Sequence, residues 1–167
     1  MNGIRLSQGG DCHHQRPVYS AAIDLGAAPG AWSMFLSSMC ELVVAVDPAE
    51  LHPYAQLPNI HHIRKKASDA CRDLEALLRR EEKQVDVLTC DMNMHPVRAS
   101  QVLKSFLQYL KPGGQVVLTL KFTGTGRDRS KMATVLQDVF QDDLEDMHMI
   151  WLLSNTVCEQ TWIGRVR

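Results

Sequence analysis

At 167 residues, 45% of them hydrophobic and 22% charged, the chain has the size and composition of one folded globular domain, which excludes fibrous and disordered classes. A formal net charge of −1 excludes a uniformly basic surface, so contact with nucleic acid has to come from a local patch, and no run approaches the ~20 apolar residues of a membrane span. Cys12, Cys40, Cys71, Cys90 and Cys158 are odd in number, widely spaced and preceded by no secretory signal, so reduced thiols and a cytoplasmic protein are expected, with an organellar address left open.

Residues 1–19 are polar, carry Gly9-Gly10 and Cys12-His13-His14, and follow neither helical nor strand periodicity. They read as a loop ahead of a single domain over 20–167. The first strand, Ser20 to Leu25, runs through an acid at Asp24 into Gly26-Ala27-Ala28-Pro29-Gly30, where a helix opens with Ala31-Trp32-Ser33. Small residues there let a ligand touch the backbone, and the first N–H groups of the helix attract polar groups. The G-A-A-P-G spacing differs from the G-x-G-x-x-G of dinucleotide sites and so disfavours a nicotinamide cofactor.

A second strand, Leu42 to Val46, ends at Asp47, placed to accept the hydroxyls of a ribose if it is not a simple loop acid. Ile60 to Arg64 is a third strand. Cys71, Leu74, Leu77 and Leu78 form the stripe of a helix between Ser68 and Glu82, whose Arg79-Arg80-Glu81-Glu82-Lys83 end reads as solvated.

Val85 to Cys90 is the fourth strand, ending at Asp91. A helix from Pro96 to Leu110 follows, with Ala99, Val102, Leu103, Phe106, Leu107 and Leu110 as its buried stripe and Lys111-Pro112-Gly113-Gly114 as its stop and turn. The remaining strands are Gln115 to Lys121, Met147 to Leu153 and Thr161 to Val166; the last two lie too close for a crossover helix and should pair antiparallel. The alternation predicts an α/β domain, a seven-stranded, mostly parallel sheet with helices on both faces.

Asp24 through Ser33, with Pro29 and Trp32 inside the turn, resembles the first motif of the FtsJ/RrmJ family of ribose 2′-O-methyltransferases, including its RlmM-type relatives. The similarity continues through Val44-Ala45-Val46-Asp47, Val87-Leu88-Thr89-Cys90-Asp91-Met92, Leu120-Lys121 and Cys158-Glu159-Gln160-Thr161-Trp162. It implies a Rossmann-like class I methyltransferase domain that binds S-adenosylmethionine and acts on RNA, with rRNA or a ribosomal particle as partner. It also implies cofactor contacts at Asp24, Gly26, Ala27, Ala28, Pro29, Gly30, Trp32, Asp47 and Asp91. Of the family's Lys-Asp-Lys-Glu catalytic set, three map here: Asp91, Lys121 and Glu159. The working assignment has Lys121 orient the hydroxyl, Asp91 lie between lysine and methyl donor, and Glu159 hold the lysine or the ribose. Taken singly, each fits a strand-end or turn charge.

Two positions depart from the family. No lysine precedes Lys65, so the first catalytic lysine is vacant; Arg5 and Arg16 are poor substitutes because a guanidinium does not deprotonate. After the third strand, where relatives often carry an acid beside the adenine, stand Lys66-Ala67, with Asp69 further on. An upstream segment or recruiting partner, a silent cofactor-binding module, and a methyltransferase for a small molecule or protein therefore stay open. Arg64-Lys65-Lys66 and Arg127, Arg129 and Lys131 suit RNA phosphates or solvated loops equally. Asn93 and His95 stand at the expected crevice, His95 equally as a loop cap. Cys12-His13-His14 and His61-His62 lack zinc-site spacing, so no metal is expected.

Overall fold

A computed structural model describes residues 17–122, 126–152 and 155–167; for helix positions 126–130 and 133 only the backbone is described. Seven strands form one sheet in the order β3-β2-β1-β4-β5-β7-β6. They are β1 (Tyr19–Leu25), β2 (Cys40–Val46), β3 (Ile60–Ile63), β4 (Val85–Cys90), β5 (Leu110–Lys121), β6 (Leu144–Ile150) and β7 (Glu159–Val166). The first five run parallel, and β7 pairs antiparallel with both β5 and β6, as the short final connection predicts.

Alternation along β1 decides which helices lie where. Ala21, Ile23 and Leu25 pack into a large core with α2 (Ala67–Arg80), α3 (Pro96–Phe106) and α4 (Gly126–Phe140). Ala22 faces the other way and meets Leu36 of α1 (Ala31–Ser37). Helices therefore cover both faces, three against one among the described residues. The predicted stripes are buried at Leu74, Leu77, Leu78, Ala99, Leu103, Phe106, Leu107 and Leu110, whereas Cys71 and Val102 are half-exposed.

Three expectations need correction. Lys111-Pro112-Gly113-Gly114 is not a turn before the strand but an irregular part of β5 itself. Leu110 already pairs with Val85, and Gln115 with Val87, so five residues of β5 span two of β4 and the excess bulges out with Gly113 at φ +76°. Lys111 stays at the sheet because its ammonium pairs with the buried Asp86. Burial alone would push the Asp86 carboxyl up, but Lys111 and the N–H groups of Ala21 and Ser20 outweigh it and hold the group below the usual carboxylate range.

β6 starts three residues earlier than its apolar run suggests. Leu144 is fully buried, the register slips between Glu145 and His148, and Asp146 takes φ +50°; a bulged edge strand with acids on its open side does not read as a strand. Trp151 and Leu152 lie beyond it, in the connection. Finally, Arg127, Arg129 and Lys131 belong to α4 rather than a loop. Arg5, Arg16, Gly9-Gly10 and Cys12-His13-His14 lie outside the described residues.

Candidate active site

A parallel strand delivers the residue after its last rung to the carboxyl edge of the sheet, where open α/β folds bind ligands. Here β1, β2, β4 and β5 deliver Gly26, Asp47, Asp91 and Lys121 to one cleft of about 640 Å³, within the size range of small-molecule sites. Ala28 and Pro29 form part of its floor. Met92, Met94 and Val102 make an apolar wall, and Lys66, Ala67 and Ser68 close the end beside β3.

The glycine turn is held from both sides. Gly26 N–H donates to Val46 O at 2.9 Å, Asp91 N–H to Leu25 O at 3.0 Å, and His52 N–H to Pro29 O at 2.9 Å. Gly26 has φ +78°, and a Cβ there would lie 2.7 Å from Met92 Cγ and 2.9 Å from the Met92 backbone. Only a glycine lets the two strand ends approach so closely.

Asp47 tightens the same turn. Its Oδ2 accepts the Ala28 N–H at 3.2 Å and its Oδ1 the Ala49 N–H at 2.7 Å, while its carbonyl accepts from His62 Nε2 at 3.0 Å. That carbonyl only accepts, so His62 carries its proton on Nε2. Each Asp47 oxygen keeps acceptor capacity toward the cleft.

Asp91 and Lys121 meet in the cleft. Lys121 Nζ lies 3.1 Å from Asp91 Oδ1 and donates to the Asp91 carbonyl at 3.1 Å. The buried Asp91 Oδ1 has no hydrogen bond; its contact with the ammonium is an ion pair of poor hydrogen-bond angle. Glu159 stands directly opposite Lys121 in the β5–β7 register, hence on the same face. Its carboxylate nonetheless turns to its own hairpin, where Oε2 accepts the Thr156 N–H at 2.9 Å.

Four residues of the glycine motif stand behind the cleft rather than on its wall. Ala27 is buried beside Ala45, Leu51 and Ala55, Gly30 abuts Ala55, and Trp32 sits edge-on to Phe35 with ring centroids 6.2 Å apart. Asp24 is 0% exposed and accepts hydrogen bonds from Ser33 Oγ at 2.6 Å and Thr89 Oγ1 at 2.9 Å. It ties β1 to α1 and β4. His95 caps α3, accepting the Val97 N–H on Nδ1 at 3.4 Å, and Asn93 lines the cleft.

Burial pushes the Asp24 carboxyl up to about 6, against the two hydroxyl hydrogen bonds. The folded state therefore holds this proton more tightly than the unfolded chain. Stability from this group is full below pH ~4 and lost as pH rises through 6, a change of about 3 kcal/mol. The unfolding free energy of the wild type relative to Asp24→Asn should rise by about 2 kcal/mol between pH 7 and pH 4. A pH-independent difference in urea titrations would show that Asp24 ionises freely.

Residues 11–149 match the family described as FtsJ-like methyltransferase. The chain belongs to the FtsJ-like methyltransferase family. It is 30% identical over 145 residues to an uncharacterized protein of Methanocaldococcus jannaschii, MJ1257, covering 86% of this chain and 40% of that one. It is 34% identical over 119 residues to the ribosomal RNA large subunit methyltransferase E of Alkalilimnicola ehrlichii, covering 64% and 56%. The chain thus spans about half the length of these relatives. The N-methyltransferase NodS of Bradyrhizobium japonicum, solved in complex with S-adenosyl-l-homocysteine, superposes with a TM-score of 0.57 at 13% identity, covering 90% of this chain and 78% of that one. At that identity the likeness speaks for the FtsJ-like chain's fold alone, and a fold does not choose the methyl acceptor.

Pro48, Ser68, Met94 and Val102 are the cleft residues that the motifs left out. Val102 carried a signal, since it sits in the α3 stripe, but the stripe alone reads as core. Among the described residues no helix is long and apolar enough to cross a membrane.

Proposed function

We propose that this FtsJ-like methyltransferase moves a methyl group from S-adenosylmethionine to a ribose 2′-hydroxyl of RNA, with ribosomal RNA as substrate class. The observation that carries the reading is the pairing of Lys121 with Asp91, thirty residues apart, at one end of a cleft bounded by the glycine turn.

The residues present fit the cofactor. Gly26 leaves bare backbone against Met92, Asp47 offers spare acceptor capacity in mid-cleft to ribose hydroxyls, and the buried Asp91 Oδ1 lacks a hydrogen bond. When bound, S-adenosylmethionine supplies an activated methyl group on a sulfonium.

The chain's own task is then to place and polarise a hydroxyl, a poor nucleophile near neutral pH. Asp91 fixes the Lys121 ammonium through its carboxylate and its carbonyl, leaving the remaining N–H free to donate to the hydroxyl oxygen and to support its charge as its proton passes to solvent water. Glu159 acts as a positioning residue, bracing the hairpin that stands opposite Lys121.

Glu159, whose carboxylate bonds the Thr156 N–H rather than Lys121, favours one second reading, a silent cofactor-binding module. Single-turnover transfer of labelled methyl from S-adenosylmethionine to rRNA, followed by mapping of ribose methylation, decides between them. Methylation at a ribose and none on the 2′-deoxy substrate is expected. Cofactor binding without transfer to rRNA would favour the silent module.

A further inference from the structure

The two ends of the cleft differ in chemistry. β4 and β5 deliver Asp91 and Lys121 to one end, the β3–α2 junction delivers Lys66, Ala67 and Ser68 to the other, and Asp47 of the intervening β2 edge lies between. With the methyl group at Lys121 and the ribose at Asp47, the nucleobase falls at the Lys66 end.

Among the described residues that end offers no carboxylate. The acids on the cleft wall are Asp47 and Asp91; Asp69, in the first turn of α2, accepts from Ser68 Oγ at 3.0 Å and is not on the wall. The neighbouring cations are engaged elsewhere, Arg64 with Glu50 at 3.8 Å and Lys65 with Asp73 at 2.6 Å. Lys66 is exposed and makes no ion pair among those seen in the described residues. An ammonium donates and never accepts, so it reads a ring nitrogen or a carbonyl on a base edge and ignores an exocyclic amine.

We infer that Lys66 determines nucleobase specificity at this end of the cleft by donating to a purine acceptor, N1 of a 6-amino purine or O6 of a 6-oxo purine. The site therefore takes adenosyl and inosyl ligands alike. The inference rests on the cofactor reading given above.

Calorimetric titration of the full chain with S-adenosylhomocysteine and S-inosylhomocysteine tests it without turnover. The wild type should bind the two within about threefold. Lys66→Ala should weaken both by about tenfold, the usual worth of one charge-assisted hydrogen bond. Lys66→Met, which keeps the stem and removes the donor, should weaken both to the same degree. Thermal unfolding of each variant guards against misfolding, and the wild-type ratio needs no variant at all. A wild type that rejects the inosyl ligand by more than about tenfold, or a Lys66→Ala variant that binds both unchanged and loses RNA affinity instead, overturns the assignment. A wild type that binds neither ligand overturns the cofactor reading itself, a pattern distinct from the other two.

Discussion

Lys121→Ala is expected to slow methyl transfer about 10³-fold while leaving affinity for S-adenosylhomocysteine within about threefold. The split follows from where the ammonium sits. Its two contacts, with the carboxylate and the carbonyl of Asp91, both lie at the cleft's far end from Lys66 and beyond the turn at Gly26, Ala28 and Pro29 that shapes its floor. Removing the side chain takes away a donor needed when charge develops on the hydroxyl oxygen, and that loss falls on kcat rather than on ground-state binding.

Lys121→Arg gives a sharper version of the test, because it keeps the charge and changes the geometry. A planar fork cannot reproduce one point donor shared between a carboxylate, a carbonyl and a substrate oxygen, so the arginine variant should recover little. Single-turnover rates and calorimetry on the same preparations separate the two effects. Equal loss of rate and ligand affinity would make Lys121 a cofactor ligand, and an unchanged rate would remove it from the chemistry.

The pairing behind that prediction was legible in the sequence because it depends on strand ends alone. Asp91 follows four β4 residues matched to family positions and Lys121 ends β5, so the sheet brings them together whatever the intervening helices do. Glu159 was legible only as an address: the register sets it opposite Lys121, but no sequence pattern says that its carboxylate will bond the Thr156 N–H. Asp24 shows the same limit, since a motif acid that contacts a ligand and one that holds the turn from behind look identical until burial separates them. α4 was there to be read. Met132, Val135, Leu136, Val139 and Phe140 recur at three- and four-residue steps, the same kind of stripe that marks α3, and only its charged first turns, with Arg127, Arg129 and Lys131, read as a loop. Phe140 does its work at long range, stacking on Trp162 of β7 with centroids 4.9 Å apart.

Gly30→Ala should cost about 4 kcal/mol of folding stability, with two separable causes. Gly30 has φ +118°, where an L side chain is strained by roughly 1–3 kcal/mol. Its Cβ would also overlap Ala55 Cβ, and overpacking of that kind adds roughly 1–3 kcal/mol. Ala55 has little room to retreat. It is fully buried against Ala27, Ala45 and Leu51, its N–H donates to His52 O at 2.8 Å, and the His52 N–H in turn donates to Pro29 O at 2.9 Å. Any shift therefore returns to the turn that floors the cleft.

Gly113→Ala supplies the comparison, because Gly113 has φ +76° with nothing within 4 Å of a built Cβ; it should carry the strain without the overlap. For a chain of this length the Gly30 variant should melt about 8–16 °C below the wild type, the Gly113 variant about half as far. Adding Ala55→Gly to Gly30→Ala should recover the overlap and leave the strain, so the double variant should approach Gly113→Ala in its loss relative to Ala55→Gly alone. Equal losses in Gly30→Ala and Gly113→Ala, with no recovery from Ala55→Gly, would mean that Ala55 yields freely and that the turn tolerates a methyl group where the packing leaves it none.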